Sequence, residues 1–172
     1  MKKLSLVFLI FIIFGCSSGN DISSDAQEKI NVVDQYIKAI EKKDINSITN
    51  LLADDYVSYG PGLKTEVSKA QNIADWQKSW EERIVSMKYK RAYNGMIHID
   101  KGKLAGEWVS EWGQVTTLYK DGKNVKFWFN GLYKVADGKI TEAKVVFDNM
   151  DILTQLGYKF MPPADIIDES GN

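Results

Sequence analysis

Near Met87 the apolar side chains change their spacing, and that switch constrains the fold more than any other feature of the chain. Before it, apolar residues recur every three or four positions, as on one face of a helix; after it they alternate, as on a strand. Ile30, Val33, Ile37 and Ile40 form a helical stripe that opens at a Ser24–Gln27 capping box and ends near Lys43. Asp44 caps a second, shorter helix carrying Ile48, Leu51 and Leu52. Tyr56-Val57-Ser58-Tyr59 reads as a short strand stopped by Gly60-Pro61-Gly62. Ser68 and Gln71 form another capping box, with Ile73, Trp76, Trp80 and Ile84 as the buried stripe of a third helix.

Beyond Met87 the alternation predicts strands over residues 87–99, 104–119, 124–136 and 139–149. Asp121-Gly122 and Asp137-Gly138 lie between them, where a tight hairpin needs positive φ. Gly95, Gly106, Gly113 and Gly131 fall inside strands, which predicts bulges or bends and a strongly curved sheet. A last short helix is expected over residues 151–156, ended by Gly157. Helices first and a meander afterwards argue an α+β domain: a cone-shaped curved antiparallel sheet with three N-terminal helices on its concave face. Such a cone leaves space for a pocket at its open end.

The N-terminus carries a different message. Lys2 and Lys3 precede an apolar run, residues 4–14, interrupted only by Ser5. It is shorter than the ~17–25 residues that span a bilayer and reads as an export signal. Ile13-Phe14-Gly15-Cys16 closes it and resembles the lipobox of bacterial lipoproteins. That resemblance implies lipidation of Cys16 and a cell-envelope location, with the domain anchored to a bacterial membrane, on its periplasmic face or in an outer membrane. The expected organisation is a signal peptide at 1–15, a lipidated tether at 16–24, one domain at 25–160 and a flexible acidic tail at 161–172.

Composition narrows the chemistry. The net charge is −1, which gives no electrostatic basis for a nucleic-acid partner. With one cysteine and one histidine, His98, a disulfide, a catalytic triad or a multi-histidine metal site is not expected. No cofactor motif is read in the sequence. His98, beside a turn, reads as a surface histidine. Five Trp and eight Tyr are present, mostly between residues 76 and 133.

On the strand spanning residues 104–119, Trp108, Ser110, Trp112 and Gln114 share one face, while Glu107, Val109, Glu111 and Val115 share the other. Trp128, Asn130 and Leu132 share a face on the next strand. Trp76, Trp108, Trp112 and Trp128, with Tyr59 at the mouth, are candidates to line a ligand pocket; the alternative is that they fill the core. Glu107 and Glu111 lack a clustered third ligand and read as a solvated strand face, so no metal site is expected.

In their order and spacing, several segments together resemble the nuclear transport factor 2-like superfamily, and within it the SnoaL-like polyketide cyclases. These are residues 36–44, 51–56, Tyr59-Gly60-Pro61-Gly62, residues 137–142, Asp148, and Gln155-Leu156-Gly157. The resemblance implies that Asp148 matches the aspartate that serves those cyclases as general base in an aldol closure. The cyclases place a histidine in the preceding strand, where this chain has Asn130-Gly131-Leu132-Tyr133-Lys134, so Asn130 or Tyr133 would have to supply the oxyanion donor. Asp148 also stands where it could cap the last helix.

Three readings follow for function. The first is a membrane-anchored domain whose pocket takes a small, mostly apolar molecule. The second is a cofactor-independent lyase or isomerase, cyclase-like, with an aspartate base. The third is an interaction module that forms a homodimer.

Overall fold

The computed structural model describes residues 23–161. The signal segment, Cys16, most of the tether and nearly all of the tail lie outside the described residues.

Four helices are present: α1 (Ser24–Lys42), α2 (Ile45–Leu51), α3 (Lys69–Glu82) and α4 (Asn149–Gln155). Six strands accompany them: β1 (Leu52–Tyr59), β2 (Glu66–Ser68), β3 (Ile84–Ile99), β4 (Gly106–Tyr119), β5 (Asn124–Ala136) and β6 (Lys139–Phe147). The strands form one curved sheet in the order β2-β1-β6-β5-β4-β3. Every pairing is antiparallel except β1 with β6, which is parallel. The class is α+β as expected, with one more strand and a wider sheet than the sequence pattern predicted.

Local chemistry sets most boundaries. Ser23, one residue before the expected cap, accepts the Ala26 N–H at 3.2 Å and opens α1. Lys43 ends that helix in the left-handed region. Asp44 caps α2 as predicted, accepting the Ser47 N–H at 3.0 Å. Ser68 caps α3, accepting the Gln71 N–H at 3.4 Å. Two expectations shift. Leu52 begins β1 instead of finishing α2, and Ile84 begins β3 instead of closing the stripe of α3. Both are fully or nearly buried, so an apolar period cannot tell the last turn of a helix from the first residue of a strand. The short β2 went unread because Glu66-Val67-Ser68 holds a single apolar residue.

α1 lies across the inner face of the sheet, packing on β3, β4, β5 and β6. Ile30, Val33, Tyr36 and Ile37 meet Tyr56, Val109, Tyr133 and Ala143 in the main core. α3 packs on β1 and β3 toward the other end of the same face.

Candidate functional site

Between α1, α3 and the inner face of the sheet is a cavity of about 320 Å³. Its wall is mostly apolar and aromatic, including Ile37, Trp76, Met87, Val115, Phe129 and Val145. A cavity of this size and lining suits a small organic ligand.

Its most buried side chains are three tyrosines from three elements: Tyr36 of α1, Tyr56 of β1 and Tyr133 of β5. The Tyr36 and Tyr133 rings meet edge to face with centroids 6.2 Å apart. The Tyr36 hydroxyl donates to Asn72 Oδ1 of α3 at 3.4 Å. Burial raises the pKa of Tyr36, although polar contacts with Trp76, Asn72 and Tyr56 pull part of the shift back. Burial also raises Tyr56, and it raises Tyr133 well above the ordinary tyrosine value, with Tyr36 and Tyr56 adding to the effect. All three are therefore neutral at physiological pH, so they act as hydrogen-bond donors and not as bases.

Two glycines make room for this wall. A Cβ at Gly131 would sit 2.6 Å from the Tyr133 ring, and one at Gly113 would sit 2.5 Å from the Tyr89 ring. The expected bulges or bends are met at one of these glycines and not at the other. Gly131 pairs in regular register on both sides, whereas Gly113 stands opposite Arg91, where the β3–β4 register shifts between Arg91 and Tyr93. Each glycine is an indentation that receives a ring from its own or the neighbouring strand.

Behind the wall lies a charged cluster. Glu111 is 0% exposed. Its Oε2 accepts from the Tyr89 hydroxyl at 2.9 Å and from Arg91 Nε at 3.1 Å, and its Oε1 accepts from Arg91 Nη2 at 3.0 Å. The same guanidinium meets Asp34 of α1. This corrects the reading of Glu111 as part of a solvated face. Only Glu107 fits that description, exposed and paired with Lys29 at 2.8 Å. His98 is exposed beside Asp100, 3.3 Å away.

The reason for the misreading is general. Alternation along β4 sorted the residues correctly into two sets but did not say which set faces the helices. The Glu–Val set faces inward and the Trp set faces outward. Trp112 and Trp128, 52% and 59% exposed, meet edge to face on the outer surface at 6.3 Å. Trp108 is buried, but beneath Lys134 and Lys144, whose ammonium groups stand 4.7 and 5.8 Å from its ring. Its Nε1 donates to the Leu104 carbonyl at 2.8 Å. None of these three lines the cavity. Tyr59 does not line it either: Lys144 Nζ lies 4.0 Å over its ring, while the adjacent Gly60 and Pro61 do border the cavity.

Among the predicted site residues, Tyr133 and Trp76 stand on the wall. Asn130 does not; its Nδ2 donates to the Glu111 backbone carbonyl at 3.2 Å. Asp148 is exposed and caps α4, its Oδ1 accepting the Asp151 N–H at 3.0 Å, and it is absent from the cavity wall. The carboxylates that do border the cavity are Glu41 and Asp75. Glu41 Oε1 accepts the Tyr89 N–H at 2.8 Å, and Asp75 Oδ1 accepts from Gln71 Nε2 at 2.7 Å. Sequence reasoning missed Tyr36, Tyr56 and Glu41. Tyr36 was detectable, since it follows Val33 by three and precedes Ile40 by four on the stripe of α1.

Comparison with known proteins places these features in context. Residues 30–156 match the family model described as SnoaL-like polyketide cyclase. Solved structures with similar folds include an epoxide hydrolase of M. tuberculosis described as LEH-like. It is 20% identical, with 77% of this chain and 91% of that one covered and a TM-score of 0.62. AclR, a candidate hydroxylase of Streptomyces galilaeus, is 18% identical over 83% and 93% of the two chains, with a TM-score of 0.64. IdmH, a candidate polyketide cyclase of Streptomyces antibioticus, is 17% identical over 76% and 99%, with a TM-score of 0.59. At such identities the likeness is one of fold. Comparison with curated proteins yields no match.

Proposed function

The chain belongs to the SnoaL-like polyketide cyclase family, and from that premise we propose that its cavity binds a small, mostly apolar molecule carrying a carbonyl oxygen. The observation that carries this reading is Tyr133, a neutral hydroxyl donor on the mostly apolar wall of the cavity, beside Tyr36 and Tyr56. A carbonyl brought there gains a hydrogen bond while the rest of the ligand leaves water. Titration calorimetry of the full chain with a bicyclic aromatic ketone such as 1-tetralone tests it. Saturable binding, weakened about tenfold by Tyr133→Phe, is the expected result. Binding that ignores the substitution would count against the hydroxyl.

A catalytic reading is favoured by Glu41 on the same wall. Cofactor-independent enolisation would move a proton from the carbon beside the carbonyl to the Glu41 carboxylate, while a tyrosine hydroxyl donates to the enolate oxygen. Such a step could open an aldol or isomerisation sequence. In this reading Asp148, the family-matched candidate, holds the helix and not the substrate. The test is exchange of the ketone's α-hydrogens in heavy water, read by NMR. Acceleration by the full chain that vanishes in Glu41→Gln supports it; exchange at the solvent rate sinks it.

Two further parts of the proposal concern setting. Lipidation of Cys16 would hold the domain at a bacterial membrane, and mass spectrometry of the membrane fraction would detect the modified cysteine. The exposed Trp112–Trp128 pair favours burial of the outer sheet face against a second copy.

A further inference from the structure

A second, larger hollow of about 940 Å³ opens between the end of α3, the β4–β5 turn and α4. It shares Trp76, Met87, Phe127 and Phe147 with the tyrosine-walled cavity. The Phe127 and Phe147 rings stand 5.6 Å apart there. The two hollows thus adjoin across an apolar, aromatic partition.

The charged groups at the second hollow are unevenly partnered. Lys123 is engaged, with Asp121 at 3.1 Å and the Leu156 carbonyl at 2.7 Å. The Arg83 guanidinium bonds only the Ser79 hydroxyl, at 3.0 Å. Lys120 Nζ meets only the Glu81 backbone carbonyl. Neither Arg83 nor Lys120 has a carboxylate partner among the described residues. Glu82 is the remaining acid, so the cations outnumber it. The first cavity has the opposite bias, with Glu41 and Asp75 against the single cation Lys88 on its border.

We propose that the two hollows together take an elongated amphiphile, its apolar chain running past Met87 and Phe127 toward the tyrosines and its carboxylate resting on Arg83 and Lys120. This deepens the reading of the cavity as an apolar binding site and rests on it. An apolar chain alone would fill the partition and leave two cations without a counter-charge; a short neutral ketone would use only the inner cavity. A carboxylate head satisfies Arg83 and Lys120 through charge-assisted hydrogen bonds while the chain is buried.

The experiment compares dodecanoate, dodecan-1-ol and 1-tetralone binding to the full chain, below the concentration at which dodecanoate forms micelles. Dodecanoate should bind at least tenfold more tightly than the alcohol. The double variant Arg83→Gln/Lys120→Gln should erase that preference and leave tetralone binding unchanged. Met87→Trp, which narrows the partition, should weaken dodecanoate by tenfold or more. A carboxylate preference that survives the double variant, or dodecanoate binding that ignores Met87→Trp, overturns the proposal. If tetralone binds and dodecanoate does not, this inference fails alone. If neither binds, the reading of the cavity fails with it.

Discussion

Glu111 is sealed inside the protein and holds the Arg91 guanidinium at 3.0 Å, with Tyr89 donating to the same carboxylate at 2.9 Å. The arrangement braces one cavity wall, because the ring of Tyr89 faces the cavity while its hydroxyl is tied behind. It also links β3 and β4 to α1 through Asp34.

Removing one member should therefore cost more than removing both. Arg91→Met leaves a buried carboxylate without its counter-charge, and we expect a loss of about 3 kcal/mol in urea denaturation. The double variant Arg91→Met/Glu111→Leu should recover most of that loss, since a well-packed apolar pair replaces a buried ion pair at little cost. Equal destabilisation in the single and double variants would show that the pairing is not what matters.

Stability at high pH follows from the tyrosines. Unfolded, Tyr36, Tyr56 and Tyr133 titrate near 10; folded, burial raises each above that. Above about pH 10 the unfolded chain has therefore given up protons that the folded chain keeps, and stability falls as pH rises. Below pH 10 these groups leave stability untouched. The slope is about 1.4 kcal/mol per pH unit for each tyrosine so held. Chemical denaturation at pH 9, 10 and 11 should show it. An ultraviolet titration should show these tyrosines ionising only as the protein unfolds.

Asp148 separates a cap from a base. Asp148→Ala should destabilise by about 1 kcal/mol through loss of the α4 cap, whereas Asp148→Asn, also a good cap, should cost little. Neither should alter ketone binding or α-hydrogen exchange. Loss of exchange in Asp148→Asn with stability intact would return the residue to the chemistry.

The outer face makes its own prediction. If Trp112 and Trp128 are covered by a second copy, light scattering should report a dimer, and Trp112→Ser/Trp128→Ser should shift it to monomer without lowering the thermal midpoint of the monomeric unit. A wild-type monomer at high concentration would contradict the dimer.

How much of this was readable in the sequence depended on the range of the interactions. Helix caps at Asp44 and Ser68 and the hairpins at Gly122 and Gly138 were legible because their chemistry is complete within a few residues. The pairing of β1 beside β6 was not, since it joins distant segments in parallel and no local pattern records it. The tryptophans show the limit most clearly. Trp108, Trp112 and Trp128 were correctly grouped on their strand faces, yet the side that receives α1 is settled by Val109, Glu111 and Val115 meeting partners far away in sequence. Glu111 could not be recognised as buried without Arg91, which the register of β3 and β4 sets opposite Gly113, two residues along the strand from Glu111. Tyr133 was legible only as a candidate; its position beside Tyr36 and Tyr56 required the whole fold.

In the proposed function an apolar ligand enters the tyrosine-walled cavity. Methyl-labelled NMR of the full chain, titrated with 1-tetralone, tests it most directly, because Val145 borders the cavity while its neighbour Val146 lies on the outer face, 62% exposed. Saturable shifts at Ile37, Val115 and Val145 with Val146 unmoved are the expected result. No saturable shift, or shifts confined to Val146 and the outer face, would contradict it.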